Sequence, residues 1–211
     1  MKTIYLYDEI GPSYYGMLDA KWLMTELDAA GGEDVTLRIN SPGGSVFEGQ
    51  AMYNALQRFP GKVAAHIDSL AASAASFVAM AAGKIQIAEN AMVMIHNAWG
   101  LAFGNAEEMR STADLLDKID GVLVSQYSAR TKQAAEQIKE WMDAETWMTA
   151  KEAVDRGFAD AIGQPLAVKA CVREGQFSKT PSHLLGPAAS VSPRVEIAAM
   201  SRRVAMARAC S

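Results

Sequence analysis

The sequence predicts an α/β domain built on a mostly parallel sheet. Three observations carry this reading. Short apolar or alternating runs of strand length recur between stretches of helical spacing. The connections between them are short, which suits βαβ units. Glycine, proline or small residues mark the junctions, as in "INSPGGSVFEG" and "LAASAASFVAMAAG".

Each element follows from its own residues. "KTIYLY" alternates and carries aromatics, so it reads as a strand. "GMLDAKWLMTELDAAGG" places Met17, Leu18, Leu23 and Leu27 near helical spacing and closes on glycines, a helix with a C-terminal stop. "DVTLRIN" is a strand. "SVFEGQAMYNALQRF" is a helix, apolar at Phe47, Ala51, Ala55 and Phe59 and stopped by Pro60-Gly61. "KVAAHIDSL" is a strand, "SAASFVAMAAG" a tight helix, and "KIQIAE" and "AMVMIHN" further strands. Asn105 to Arg130 predicts one long helix, with Asn105 as N-cap and Glu107 and Glu108 where the dipole favours anions. Met109, Ala113, Leu116, Leu123 and Tyr127 mark its apolar face. "AAEQIKEWM" is a second helix, and Thr149 to Glu152 form a capping box that opens a third, ending at Gly157. "MDAETWMTA" lies between them as a helix-to-helix connection.

Beyond Pro165 the signals thin. "AVKACVRE" predicts a strand, "KTPSHLLGPAASVSPR" a linker, and "VEIAAMSRRVAMARA" a short basic amphipathic helix. The division expected is a domain over 1–164 and an extension over 165–211. Residues 1–164 carry 13 basic and 22 acidic residues, against seven and two in 165–211. A basic tail on an acidic body points to docking on that body or to an acidic partner, with a solvated tail as the plain alternative.

Composition narrows the function. Half of the 211 residues are apolar and 21% are charged, as in a globular domain. No apolar run reaches the roughly 18 residues of a membrane span, and the start has no signal-peptide anatomy. A cytoplasmic protein without membrane or nucleic-acid partners is expected. Cys171 and Cys210 form neither a metal spacing nor a disulfide framework, so no metal and no cofactor is expected.

Three junctions could do chemistry. Gly43-Gly44 permits positive φ and bares backbone N–H groups, an anion receptor in principle, although most such turns are only turns. Ser73 stands between small residues where a strand enters a helix, the logic of a nucleophile elbow; the plain alternative is close helix packing. Ser69 and Ser76 are rival hydroxyls. His96 ends an apolar strand, where sites in α/β sheets gather. His66 lies mid-strand and His183 in the linker. A serine–histidine pair needs an acid, and Asp143 and Glu145 are the accessible choices.

These residues resemble a known family, the proteolytic subunit of the Clp protease, ClpP, with its phage-encoded relatives. The resemblance runs from about Ile4 to Ile162. "INSPGG" stands as in the family; "AASAAS" resembles "AASMGA", "MIHNAWG" resembles "MIHQPLG", and "ETWMTAKEAVDRGFAD" resembles "DxFxSAxEAxxxGLxD". It implies a ClpP/crotonase-like fold of repeated β-β-α units with a projecting handle helix. It further implies Ser73 as nucleophile, His96 as general base and acid, and the Gly44 and Ala74 amides as oxyanion hole. The acid position, two before the aromatic of "DxF", is Glu145, a Glu where the family has Asp; Asp143 is the alternative. Ala75 and Ala98 are further departures. Gly43, Trp99, Gly100 and Leu101 would contact a polypeptide substrate, paired on an exposed strand at "WGLAFGN". The resemblance further implies seven-membered rings stacked as a tetradecamer, with interfaces from the long helix, and leaves docking of an AAA+ ATPase open. The basic tail and short amino terminus resemble phage head-maturation proteases, which cut scaffold or capsid precursors. Rival readings are a housekeeping chambered protease, a crotonase-like acyl-CoA enzyme, a Ser–Lys enzyme using Lys62 or Lys84, and an inactive shell protein.

Overall fold

A ten-residue strand organises the chain. In the computed structural model, which describes residues 1–164, 172–173 and 175–185, β3 spans Val63–Ala72. Its first half pairs in parallel with β4 (Lys84–Ala88), from Ala64↔Lys84 to Ile67↔Ile87. Its second half pairs in parallel with β5 (Met92–Ile95), from Leu70↔Met92 to Ala72↔Met94. On the other side lie β2 (Val35–Ser41) and then β1 (Lys2–Leu6), both parallel. The main path is closed by β7 (Ala161–Gly163) on β4, and β6 (Thr146–Thr149) runs antiparallel to β5.

Three crossover helices follow the parallel strands: α1 (Ala20–Asp28), α2 (Val46–Arg58) and α3 (Ala74–Ala79). The starts of the first two are set locally. The Asp19 carboxylate accepts from the Trp22 amide at 2.8 Å, and the Ser45 hydroxyl accepts from the Glu48 amide. The close approach of α2 and α3 explains the small residues. A Cβ added at Gly49 would come within 2.8 Å of the Phe77 ring, so only glycine lets the helices meet there. Leu37, Ile39, Val78, Ile85 and Ile87 fill the core between sheet and helices.

The polar cluster at β1–β3 is equally ordered. Asp68, on β3, is almost wholly buried and receives the Arg38 guanidinium through two bonds, at 2.7 and 2.6 Å, and the Tyr7 hydroxyl. A buried carboxylate needs such partners. Burial, then the Asp68 hydrogen bond, pushes the Tyr7 hydroxyl above its ordinary value.

α4 (Ala106–Thr131) is the long helix predicted, with the Asn105–Glu108 capping box at its start. It ends one residue past Arg130, where Lys132 adopts φ 63°. α5 (Ala135–Asp143) and α6 (Ala150–Asp155) complete it, the latter with the predicted Thr149–Glu152 box.

Several expectations are corrected. The stretch read as a helix-to-helix connection holds strand β6, because "TWMT" can pair with β5. "WGLAFGN" is irregular rather than a strand, with Trp99, Leu101 and Phe103 exposed. The start of the supposed linker is packed: Ser182–Leu184 is a 3-10 turn and Leu184 is buried. Of the strand predicted at 167–174, Val172 makes a single bridge to Leu185. The rest of that strand, save Arg173, and the basic helix at 195–209 lie outside the described residues.

Phe158 is fully buried between the rings of Tyr127 and Trp141, at 5.6 and 6.2 Å. Phe158→Ala is expected to cost about 3–5 kcal/mol, read as a lower urea midpoint at unchanged slope. A loss under 1 kcal/mol would mean that α4 and α5 are not held through this ring.

Candidate active site

Three neighbouring strands, β2, β3 and β5, deliver their carboxyl ends to one place. Ala72 pairs with Met94, so the residues just beyond, Ser73 and His96, emerge side by side. The Ser73 amide donates to the Met94 carbonyl at 3.0 Å. His96 Nε2 lies 2.8 Å from Ser73 Oγ. The sequence separates these side chains by 23 residues, and the register of β3 on β5 joins them.

Ser73 holds φ 51° and ψ −125°, a rare backbone for a residue with a Cβ. Such a turn between strand and helix lifts the side chain out of the sheet edge. The rival hydroxyls are committed elsewhere. Ser76 Oγ donates to the Ser73 carbonyl at 2.6 Å and pairs with the fully buried Tyr127 hydroxyl. Ser69 is buried within β3, whereas Ser73 is only half-buried. His66 lies on β3 some way from Ser73, and His183 is exposed.

The glycine turn after β2 lies directly against this junction. A Cβ added at Gly43 would come 2.7 Å from Ser73 Cβ and 2.8 Å from the Ala74 nitrogen; one at Gly44 would come 2.0 Å from the Ile10 carbonyl oxygen. Both glycines have positive φ, 88° and 138°. The Gly43 carbonyl accepts from Ile10 at 2.7 Å and the Gly43 amide donates to Ser41 Oγ. The amides of Gly44 and Ala74 have no hydrogen-bond partner among the described residues. Two amides without partners among the described residues therefore lie in and next to the turn that meets Ser73, donors of the kind that stabilise an oxyanion.

The antiparallel pairing of β6 with β5 matches Ile95 with Thr146, which brings the preceding Glu145 opposite His96. Glu145 has φ 48°. Its carboxylate, though, is held by other donors. Trp147 Nε1 at 3.2 Å and the Lys179 amide at 2.5 Å reach Oε1; the Ser178 amide at 2.8 Å and hydroxyl at 2.7 Å reach Oε2. Despite opposing burial, these bonds hold the Glu145 carboxyl below its ordinary value. Asp143 is exposed and accepts from Asn97 Nδ2 at 2.8 Å and from Lys139. Neither carboxylate hydrogen-bonds to His96 among the described residues. Trp99, Gly100 and Leu101 leave the site along the irregular chain after His96 and are exposed.

Phe177 escaped the sequence reading. Its ring meets His96 edge-on at 5.2 Å between centroids and Trp147 at 5.8 Å. A single aromatic in a stretch otherwise rich in turn residues was the one signal that it packs.

A family model described as Clp protease matches residues 2–165. The chain is 37% identical over 131 residues to the ATP-dependent Clp protease proteolytic subunit 2 of Thermobifida fusca, covering 61% of this chain and 64% of that relative, just under two thirds of its length. It is 32% identical over 163 residues to the proteolytic subunit 1 of Leifsonia xyli, covering 76% and 82%. Among solved structures, a point mutant of ClpP1 from Listeria monocytogenes aligns with a TM-score of 0.68 at 24% identity, over 77% of this chain and 91% of that one. That structural likeness carries the fold.

Burial, opposed in part by the Glu145 charge, pushes the His96 imidazole below its ordinary 6.5. Burial disfavours the charged ring, so the neutral base persists as pH falls. The rate of Ser73 modification by a fluorophosphonate should therefore lose half its value at a pH below 6.5. A midpoint above that value would mean that the carboxylate outweighs burial.

Proposed function

The chain belongs to the Clp protease family, and we propose from this that it is a serine endopeptidase working through Ser73, His96 and Glu145. One observation carries the reading: a serine at φ 51°, within 2.8 Å of an imidazole, beside two amides without partners. An acyl-CoA enzyme of the same fold has no use for that pair, and an inactive shell has no reason to retain the strained serine.

The reaction is acyl transfer. His96 Nε2 takes the proton of Ser73 Oγ as the oxygen attacks the peptide carbonyl. The Gly44 and Ala74 amides hold the developing oxyanion, a contribution of roughly 3–4 kcal/mol per donor. His96 then gives its proton to the departing amine. A water, deprotonated by His96, releases the acyl group and restores Ser73. Glu145 keeps the imidazole in the right tautomer and offsets its charge, and the chain after His96, with Gly43, Trp99, Gly100 and Leu101, lines the substrate's path.

Rings follow from α4. At 26 residues it is about 39 Å long, yet its buried residues, Leu123, Tyr127 and Thr131, all lie near its carboxyl end. Met109, Leu115 and Val122 stay exposed, as does Phe47. A projecting helix with apolar residues is suited to a neighbouring copy, and seven-membered rings stacked in pairs are the arrangement we propose, with residues 1–164 as the protease domain and 165–211 as its extension. Cytoplasmic turnover of polypeptides with an ATPase, and cleavage of phage scaffold or capsid precursors, both fit this chemistry. The net positive charge of residues 165–211 is what supports the second.

Ser73→Ala should abolish fluorophosphonate labelling, and both it and His96→Ala should lower kcat/KM on a fluorogenic peptide by about 10⁴-fold or more, with ring assembly unchanged in sedimentation. Labelling that survives Ser73→Ala would dismiss the nucleophile. For the acid, Glu145→Gln should lower turnover by about 10²–10⁴-fold, and Asp143→Asn should stay within about twofold. The reverse ranking would move the role to Asp143.

A further inference from the structure

Residues 172–173 and 175–185 form a closed loop that packs beside His96. The Val172 amide donates to the Leu184 carbonyl at 2.9 Å, which brings the loop's ends together. Three of its apolar side chains, Val172, Phe177 and Leu184, are buried. They lie on Leu70, Ala72 and Met94, with Met92 and Trp147 at the side. Those residues occupy the face of β3 and β5 opposite the main core, since Ala71, Val93 and Ile95 point inward. The loop is further fixed by Arg173 on Glu9 and by Lys179 Nζ on the Ala144 carbonyl. The described part of 165–211 is thus packed on the body.

Two contacts bear on chemistry. Phe177 lies edge-on against the His96 ring. The amides of Ser178 and Lys179, with the Ser178 hydroxyl, take up both oxygens of Glu145. With Trp147 Nε1 also on Oε1, the carboxylate has its accepting directions filled, three of them by the loop, while the register of β5 and β6 sets it opposite His96. A cavity of about 270 Å³ lies where the loop meets the body, lined by Glu9, Asn40, Pro42, Leu70, Arg173 and Gln176 among others.

We propose that this loop is an autoinhibitory strap: closed, it withholds Glu145 from His96 and covers the substrate's approach; open, it frees both. The proposal rests on the serine-peptidase reading above. Turnover by the full chain then comes from the fraction of molecules with the loop open, and anything that loosens the loop raises the rate. The device is reversible, since every contact that closes it is non-covalent.

The test uses two full-length variants that loosen the loop by different means. Phe177→Ala removes its apolar anchor, and Ser178→Pro removes the amide and hydroxyl on Glu145 Oε2, leaving the Lys179 and Trp147 donors on Oε1 and Phe177 in place. Both should raise kcat/KM on a short fluorogenic peptide, and the fluorophosphonate labelling rate of Ser73, tenfold or more over the wild-type chain. A synthetic peptide of residues 172–185 added to the Phe177→Ala protein should bring the rate back down; the same peptide with alanine in place of Phe177 should not. If both variants label Ser73 but turn over peptide at or below the wild-type rate, the strap is overturned and the loop instead completes the site. If no variant, and not the wild type, labels at Ser73, the peptidase reading fails and takes the strap with it. A structurally supporting loop could only lose activity on being loosened, so a gain separates the two roles.

Discussion

The positive φ of Ser73 is the constraint on which the rest of the site depends. Left to itself, a serine there costs roughly 1–3 kcal/mol. It persists because its neighbours leave no other choice. Its amide is tied to Met94, its carbonyl accepts from both the amide and the hydroxyl of Ser76, and the Gly43 backbone is wedged against its Cβ. Ser76 is in turn held by a fully buried tyrosine from α4. The turn is therefore fixed by β5, by α3, by the glycine loop and by the long helix together.

That constraint also explains the composition of the junctions. A strand must end, a helix must start, and a second loop must approach within contact distance, all in a few residues. Alanine and serine on one side and glycine on the other are what fit. A side chain at Gly43 would enter the Ala72 carbonyl and the Ala74 nitrogen; one at Gly49 would strike Phe77. Small volume here serves close approach of backbones, and the same closeness leaves the two amides bare.

Electrostatics divides the site into the hydroxyl–imidazole pair and a carboxylate held by other donors. The hydroxyl and the imidazole already meet, and burial keeps the imidazole neutral, as a base must be. Glu145 is ionised and stands at the matching register, yet its oxygens face donors of the extension. Orientation of the histidine is thus open to influence from the residues that hold Glu145, Ser178 and Lys179. Arg173 on Glu9 and the apolar anchors Val172, Phe177 and Leu184 give those residues a definite seat.

The alternation of apolar runs, the helix caps at Asn105 and Thr149, the glycine turn, Ser73 and His96 were all legible in the sequence, because each is a local rule: period, capping chemistry, or a residue type demanded at a strand end. The family motifs pointed to Glu145 as the acid in the same local way, with Asp143 as the alternative. Strand β6 was not legible, since four residues between two helices become a strand only when β5 offers an edge to pair with. Nor was the seat of residues 172–185, whose turn-rich composition reads as linker until Leu70, Ala72 and Met94 present an uncovered apolar face. The sequence by itself determined which residues could do chemistry. Tertiary structure alone decided which of them meet, because strand register and the second face of the sheet are set by partners far away along the chain.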